Sequence, residues 1–168
     1  MSRPVTAQAQ EDDPLLLDRQ VCFPLYAATN LLNRLYGPVL GKLGLTYPQY
    51  LVMLVLWERE VQTVGELGAL LYLDSGTLTP LLKRMETAGL VVRARDPIDE
   101  RRVVVTLTDQ GWMLRDRAVH VPETMSGGYA PEGLDELRES VRTLVTILAQ
   151  RDGKRPASPR ALSPDERR

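Results

Sequence analysis

The chain has 168 residues, 43% apolar and 26% charged, with a formal net charge of −1. That is enough chain for one domain with a real core. It argues against a polybasic coat for nucleic acid, a disulfide framework (Cys22 is the only cysteine) and a membrane span, since no apolar run approaches about 20 residues. Cys22 and His120, one of each type, supply no zinc ligand set, so no metal and no cofactor are expected. The opening MSRPVTAQAQEDDP lacks the apolar centre of a signal peptide, and a cytoplasmic location follows as the expectation.

Residues 1–13 are polar and aperiodic and are expected to form a disordered tail. Apolar residues then recur at helical spacing (Leu25, Ala28, Leu32, Leu35, Val39, Leu43), predicting a long first helix closed by Gly44. QVCFPLY (20–26) sits at its head. Proline belongs in a first helical turn, which puts Cys22 at or just before the helix start; a helix that begins near Asp18 would instead be kinked at Pro24. At a helix start the positive end of the dipole favours a thiolate. Tyr26, four residues on, shares the face of Cys22. Tyr36, fourteen residues on, returns to within about 40° of that face at ~100° per residue. Fourteen helical residues span about 21 Å, so Tyr36 reaches Cys22 only across a dimer with antiparallel first helices.

TYPQYLVMLVLWERE predicts a second, strongly buried helix starting near Thr46–Pro48. Thr63 with Glu66 forms a capping box for a short helix, TVGELGALLY. Asp74 or Ser75 caps the next, SGTLTPLLKRMETAG, which Gly89 stops. Two strand-like runs, 90–95 and 102–108, flank the polar loop DPIDER. A helix from Asp109 to about Val121, a loop through MSGGYAP and a last helix from about Pro131 to Gln150 complete a domain over 14–150. Residues 151–168, rich in Pro, Ser and Arg, are expected to be a second disordered tail. Two short helices followed by a ribbon describe a winged helix-turn-helix, mainly α with a small β-hairpin. The long terminal helices carry apolar stripes in excess of that core, and a second copy of the chain is the simplest partner.

The second helix of the pair is the one to enter a major groove. Its start is small and polar (Ser75, Gly76, Thr77, Thr79, with Pro80 beside them), while Leu78, Leu81, Leu82 and Met85 fall on the opposite, buried face. Lys83 and Arg84 project towards the phosphate backbone. Arg93, Arg95, Arg101 and Arg102 make a basic wing on an otherwise acidic chain, and Asp99 has the geometry to orient Arg101 by a bidentate pair.

DERRVVVTLTDQG (99–111) resembles the wing signature of the MarR family of winged-helix regulators: an Asp, an Arg two on, an apolar strand, then Leu-Thr and a Gly. LYLDSGTLTPLLKRMETAGLV (71–91), LTYPQYLVMLVLWE (45–58) and QVCFPLYAATN (20–30) are similar to one branch, the organic-hydroperoxide repressors, and the likeness covers roughly residues 15–125. The resemblance implies a homodimer held by its terminal helices. It implies a repressor that binds a pseudo-palindromic double-stranded DNA operator when reduced, and in which an organic hydroperoxide oxidises Cys22. Tyrosines at Tyr36 and Tyr47 would hold the reduced cysteine. Members with a second cysteine close an intersubunit disulfide. This chain has none, so a low-molecular-weight thiol is expected to cap the oxidised sulfur, with over-oxidation as the other fate.

Three other readings compete. A regulator of the same fold that senses a phenolic or aromatic ligand would use Cys22 only for packing. A thiol peroxidase would turn over peroxide, but a single cysteine and no CxxC argue against an enzyme. A winged-helix module that never touches DNA leaves the wing arginines without a role. The flanking Phe23 and Leu25 suggest an apolar pocket that prefers alkyl peroxides.

Overall fold

The structure is a computed structural model that describes residues 13–126 and 131–153. The tails expected at 1–13 and 151–168 lie almost wholly outside these residues, as does most of the expected loop through MSGGYAP.

A short 3-10 turn at Leu17–Arg19 leads into α1 (Cys22–Gly41). Cys22 is the first helical residue and Pro24 the third, so the proline, which has no N–H to lose there, lies in the first turn and does not interrupt the helix. Pro38 is accommodated within a helix that continues to Gly41. The chain reverses at Gly44 and enters α2 (Tyr47–Arg59), where the Gln49 side chain accepts the Thr46 N–H at 2.8 Å. A three-residue strand, β1 (Val61–Thr63), follows; the expected ribbon of two strands is in fact a sheet of three.

Thr63 then caps α3 (Val64–Leu71): its hydroxyl accepts from the Glu66 N–H, and Glu66 accepts from the Thr63 N–H at 2.7 Å. Tyr72, left-handed at φ 54°, turns the chain towards α4 (Ser75–Thr87). Asp74 is the cap of α4, accepting the Thr77 N–H at 2.8 Å. Gly89, at φ +72°, ends α4 in a conformation that costs glycine little, and the Leu90 N–H returns to the Met85 carbonyl. Strands β2 (Val91–Arg95) and β3 (Val103–Leu107) form the wing; β3 lies centrally, antiparallel to both neighbours, in the order β1-β3-β2.

Thr108 caps α5 (Asp109–Ala118) and donates to the Gly89 carbonyl, fastening that helix to the end of α4. A second short helix, α6 (Val121–Ser126), occupies part of the stretch expected to be loop. α7 (Pro131–Arg151) is last. Leu40, Met53, Leu56, Leu67, Leu78, Leu82, Met85, Val91 and Val105 form one contiguous core, closing the predicted buried face of α4. Burying each such side chain contributes roughly 1.5–3 kcal/mol. The terminal helices behave differently. Leu31, Leu32 and Leu35 on α1 and Leu137, Val141, Ile147 and Leu148 on α7 are exposed. No helix among the described residues is long and apolar enough to cross a membrane.

Candidate nucleic-acid interface and cysteine site

The start of α4 is built to stand out from the surface. Ser75, Gly76, Thr77, Thr79, Pro80, Lys83 and Arg84 are all exposed, while Leu78, Leu81, Leu82 and Met85 anchor the opposite face. Asp74 spends its carboxylate on the Thr77 backbone and hydroxyl, and these bonds hold its carboxyl below the usual range. Because Pro80 has no N–H, the carbonyl four residues back, Gly76, is relieved of that helical bond.

The wing sorts its four arginines. Arg101 has 91% of its side chain open and forms a two-bond fork with Asp99 (2.9 and 3.1 Å). Arg95 is exposed and reaches the Glu100 carbonyl at 3.3 Å. Arg102 faces Glu66 of α3 at 3.6 Å and Asp96 at 4.0 Å. Arg93 turns back to Glu86 on the last turn of α4 at 2.7 Å. Strand alternation puts Arg93 and Arg95 on one face, yet the two have different surroundings. Glu66 and Glu86, absent from the sequence reading of the interface, are thus the acidic partners of two wing arginines.

Cys22 is exposed at the first turn of α1, with Tyr26 exposed one turn on. Tyr36 lies far along the same helix and packs against Tyr47 of α2, ring centroids 4.8 Å apart, and against Tyr50 at 6.2 Å. Because α1 is unbroken from Cys22 to Gly41, the pair Tyr36–Tyr47 is about 21 Å from the Cys22 of its own chain. Burial, and then the neighbouring Tyr36, push the Tyr47 phenol above its ordinary value; burial does the same for Tyr50. Both stay protonated near neutral pH and can donate. Tyr50 continues the aromatic row to Trp57, whose indole N–H donates to the Gly111 carbonyl at 3.0 Å. Tyr50 went unremarked in the sequence, although Tyr47 and Tyr50 stand at i, i+3 on one helix face.

A groove-sized helix with an exposed polar start, flanked by an arginine-tipped β-hairpin, defines a winged helix-turn-helix of the DNA-binding kind. Comparison with known proteins narrows the class. Residues 34–117 match the family model described as transcriptional regulator SarA/Rot. The organic hydroperoxide resistance transcriptional regulator of Bacillus subtilis (strain 168) is 46% identical over 142 residues, which is 83% of this chain and 97% of that one. The HTH-type transcriptional regulator TtmR of Methylorubrum extorquens (strain PA1) is 50% identical over 143 residues, 85% of this chain and 73% of that one. Among solved structures, reduced AbfR bound to DNA is similar at a TM-score of 0.68 and 36% identity, over 84% of this chain and 99% of that one. Overoxidised AbfR bound to DNA is similar at 0.61 and 39%, over 76% and 95%; the regulator comes from Staphylococcus epidermidis. The chain belongs to the MarR family of winged-helix transcriptional regulators, in its organic-hydroperoxide regulator branch, and carries one cysteine.

Proposed function

We propose that this regulator is a repressor that binds a pseudo-palindromic operator as a homodimer and releases it when an organic hydroperoxide oxidises Cys22. The observation that carries the reading is geometric. An exposed cysteine begins a helix whose other end holds a half-buried, ring-packed pair, Tyr36 and Tyr47, and the apolar face between them, Leu31, Leu32 and Leu35, is exposed. Two antiparallel copies of α1 bury that face and bring each Cys22 to the partner's Tyr36 and Tyr47. The exposed stripe on α7 extends the same interface. Tyr26, on the face of Cys22, lines the site from its own chain.

On DNA, each α4 enters a major groove, the two about 34 Å apart, with Ser75, Gly76, Thr77, Thr79 and Pro80 facing bases and Lys83 and Arg84 facing phosphates. Arg101, held by Asp99, reaches the minor groove, and Arg95 meets the flanking backbone. In the sensing step the Cys22 thiolate attacks the outer peroxide oxygen. The O–O bond breaks, sulfur keeps the hydroxyl as a sulfenic acid, and the alkoxide leaves and takes a proton to become the alcohol. A low-molecular-weight thiol of the cytoplasm then attacks the sulfenic sulfur, forming a mixed disulfide and expelling water. The AbfR relative is bound to DNA in an overoxidised form. That favours the bulk of the thiol cap, rather than added oxygen alone, as what drives this chain off DNA. Losing one charge-assisted hydrogen bond to a tyrosine is worth about 1.4 kcal/mol, or tenfold in affinity; displacing α1 by a cap supplies more.

The test uses fluorescence anisotropy with the duplex upstream of the chain's own gene. Wild type is expected to bind when reduced, release with cumene hydroperoxide plus a small thiol, and rebind with dithiothreitol, while Cys22→Ser binds and stays. Peroxide-indifferent binding by wild type would instead favour a regulator that senses a small aromatic ligand.

A further inference from the structure

β2 is one of the two edge strands of the sheet, so among the described residues its outward N–H groups have no strand partner. One of them is covered by a carboxylate from the recognition helix. The Arg93 N–H donates to Glu86 Oε1 at 3.2 Å, and the same side chain receives Arg93 Nε at 3.0 Å and Nη2 at 2.7 Å on Oε2. The three bonds bridge the turn at Gly89 and join the last turn of α4 to the wing. Both side chains are largely covered, Arg93 with 24% of its side chain exposed and Glu86 with 37%. The Arg93 hydrogen bonds, with Lys83 nearby, hold the Glu86 carboxyl below the usual range, so it stays ionised at neutral pH.

We infer that Glu86 and Arg93 are a positioning pair that fixes the wing against the recognition helix, Arg93 acting through Glu86 and not on DNA. The inference rests on the DNA-binding reading above. Its chemistry is that of the guanidinium fork. A bidentate grip on phosphate needs two neighbouring N–H groups on one edge. In both Arg93 and Arg101 the Nε/Nη2 edge grips a carboxylate, Glu86 and Asp99 respectively. But Arg93 lies against the end of α4 with 24% of its side chain exposed while Arg101 stands 91% open, so Arg101 is the one with a free edge to turn towards DNA. Position matters because readout is divided. α4 and Arg101 must reach adjacent grooves together, and Arg101 stands beyond some 10 Å of strand from the brace. Over that lever, a rotation of about 10° at the base displaces the tip by nearly 2 Å, more than a hydrogen bond tolerates. Arg102, facing Glu66 of α3, restrains the other leg of the hairpin.

The experiment has two arms on the full chain. In the DNA-free protein, amide exchange at Arg93 should be about tenfold faster in Glu86→Ala than in wild type, since the carboxylate that covers this N–H is gone. On the duplex upstream of the chain's own gene, Glu86→Ala and Arg93→Ala should each bind about tenfold more weakly while keeping the wild-type dependence on salt. Glu86→Gln, which keeps shape and one acceptor, should fall between, and unfolding midpoints confirm that each variant is folded. A salt slope reduced by about 1 in Arg93→Ala, with Glu86→Ala binding normally, would make Arg93 a phosphate contact and overturn the inference. Unchanged exchange at Arg93 in Glu86→Ala would also overturn it. Wild type that binds no duplex would sink the DNA-binding reading instead, and the exchange arm alone would then decide whether the brace exists.

Discussion

Replacing Gly111 with alanine adds one methyl group at the seam between α5 and the wing. A Cβ there would stand 2.2 Å from the Leu90 carbonyl oxygen and 3.1 Å from Leu107 Cδ2. The leucine side chain can turn away. The carbonyl cannot, because it accepts the Thr108 N–H at 3.1 Å and immediately precedes β2. Relief therefore requires α5 to retreat by about 1 Å, which strains the Gly111 N–H bond to Thr108 and the Trp57 bond to the Gly111 carbonyl. Overpacking of this kind costs about 3–4 kcal/mol when backbone must move, and the helix preference of alanine over glycine returns about 1. The net is roughly 2–3 kcal/mol of lost stability. Urea unfolding at fixed protomer concentration should show the midpoint fall by about 1–2 M for a slope near 1.5–2 kcal/mol/M. Since Gly111 does not have a positive φ, an unchanged or higher midpoint would mean that the close approach is not real and that only helix propensity operates there.

Three further outcomes follow from the same geometry. Thr63→Ala, which removes the capping hydroxyl of α3, should cost about 1 kcal/mol in the same unfolding experiment. The Glu66 and Glu86 carboxyls are held below the ordinary range, by Thr63 and Arg93 respectively, so they bind protons more weakly folded than unfolded. The stability they add is therefore fully present above the ordinary carboxylate pKa and is lost as pH falls through the depressed folded values; unfolding midpoints between pH 7 and 3 should decline on the acid side, and less steeply in Glu86→Ala. Tyr36→Phe and Tyr47→Phe should each still bind the operator, weakened by no more than about tenfold for the one hydrogen bond lost, and should shift the hydroperoxide concentration needed for release, read by anisotropy; unchanged oxidation and release kinetics would remove the tyrosines from the site.

Local chemistry made much of this molecule legible. The box Thr63–Glu66, the stop at Gly89 and the buried stripe Leu78, Leu81, Leu82 and Met85 each declare themselves within one or two helical turns. β1 did not, because three residues show no alternation, and it becomes a strand only by pairing with β3, some forty positions away. α6 was hidden by its length and by Pro122. Alternation correctly grouped Arg93 with Arg95 but said nothing of Glu86, which reaches Arg93 only after the chain reverses at Gly89. The Tyr36–Tyr47 contact likewise needs α1 and α2 to fold back on each other across Gly44. The family resemblance named those tyrosines and Cys22; the unbroken α1 explains why one chain alone leaves them apart.

The most direct measurement follows Cys22 and DNA in one sample. Reduced protein on its operator duplex would be titrated with cumene hydroperoxide in the presence of a small thiol, with anisotropy reporting occupancy and intact mass reporting the state of Cys22 at every point. The account predicts that occupancy falls in step with the Cys22 mixed disulfide and returns when dithiothreitol removes it. Full conversion of Cys22 with DNA still bound, or release with Cys22 unmodified, would contradict it.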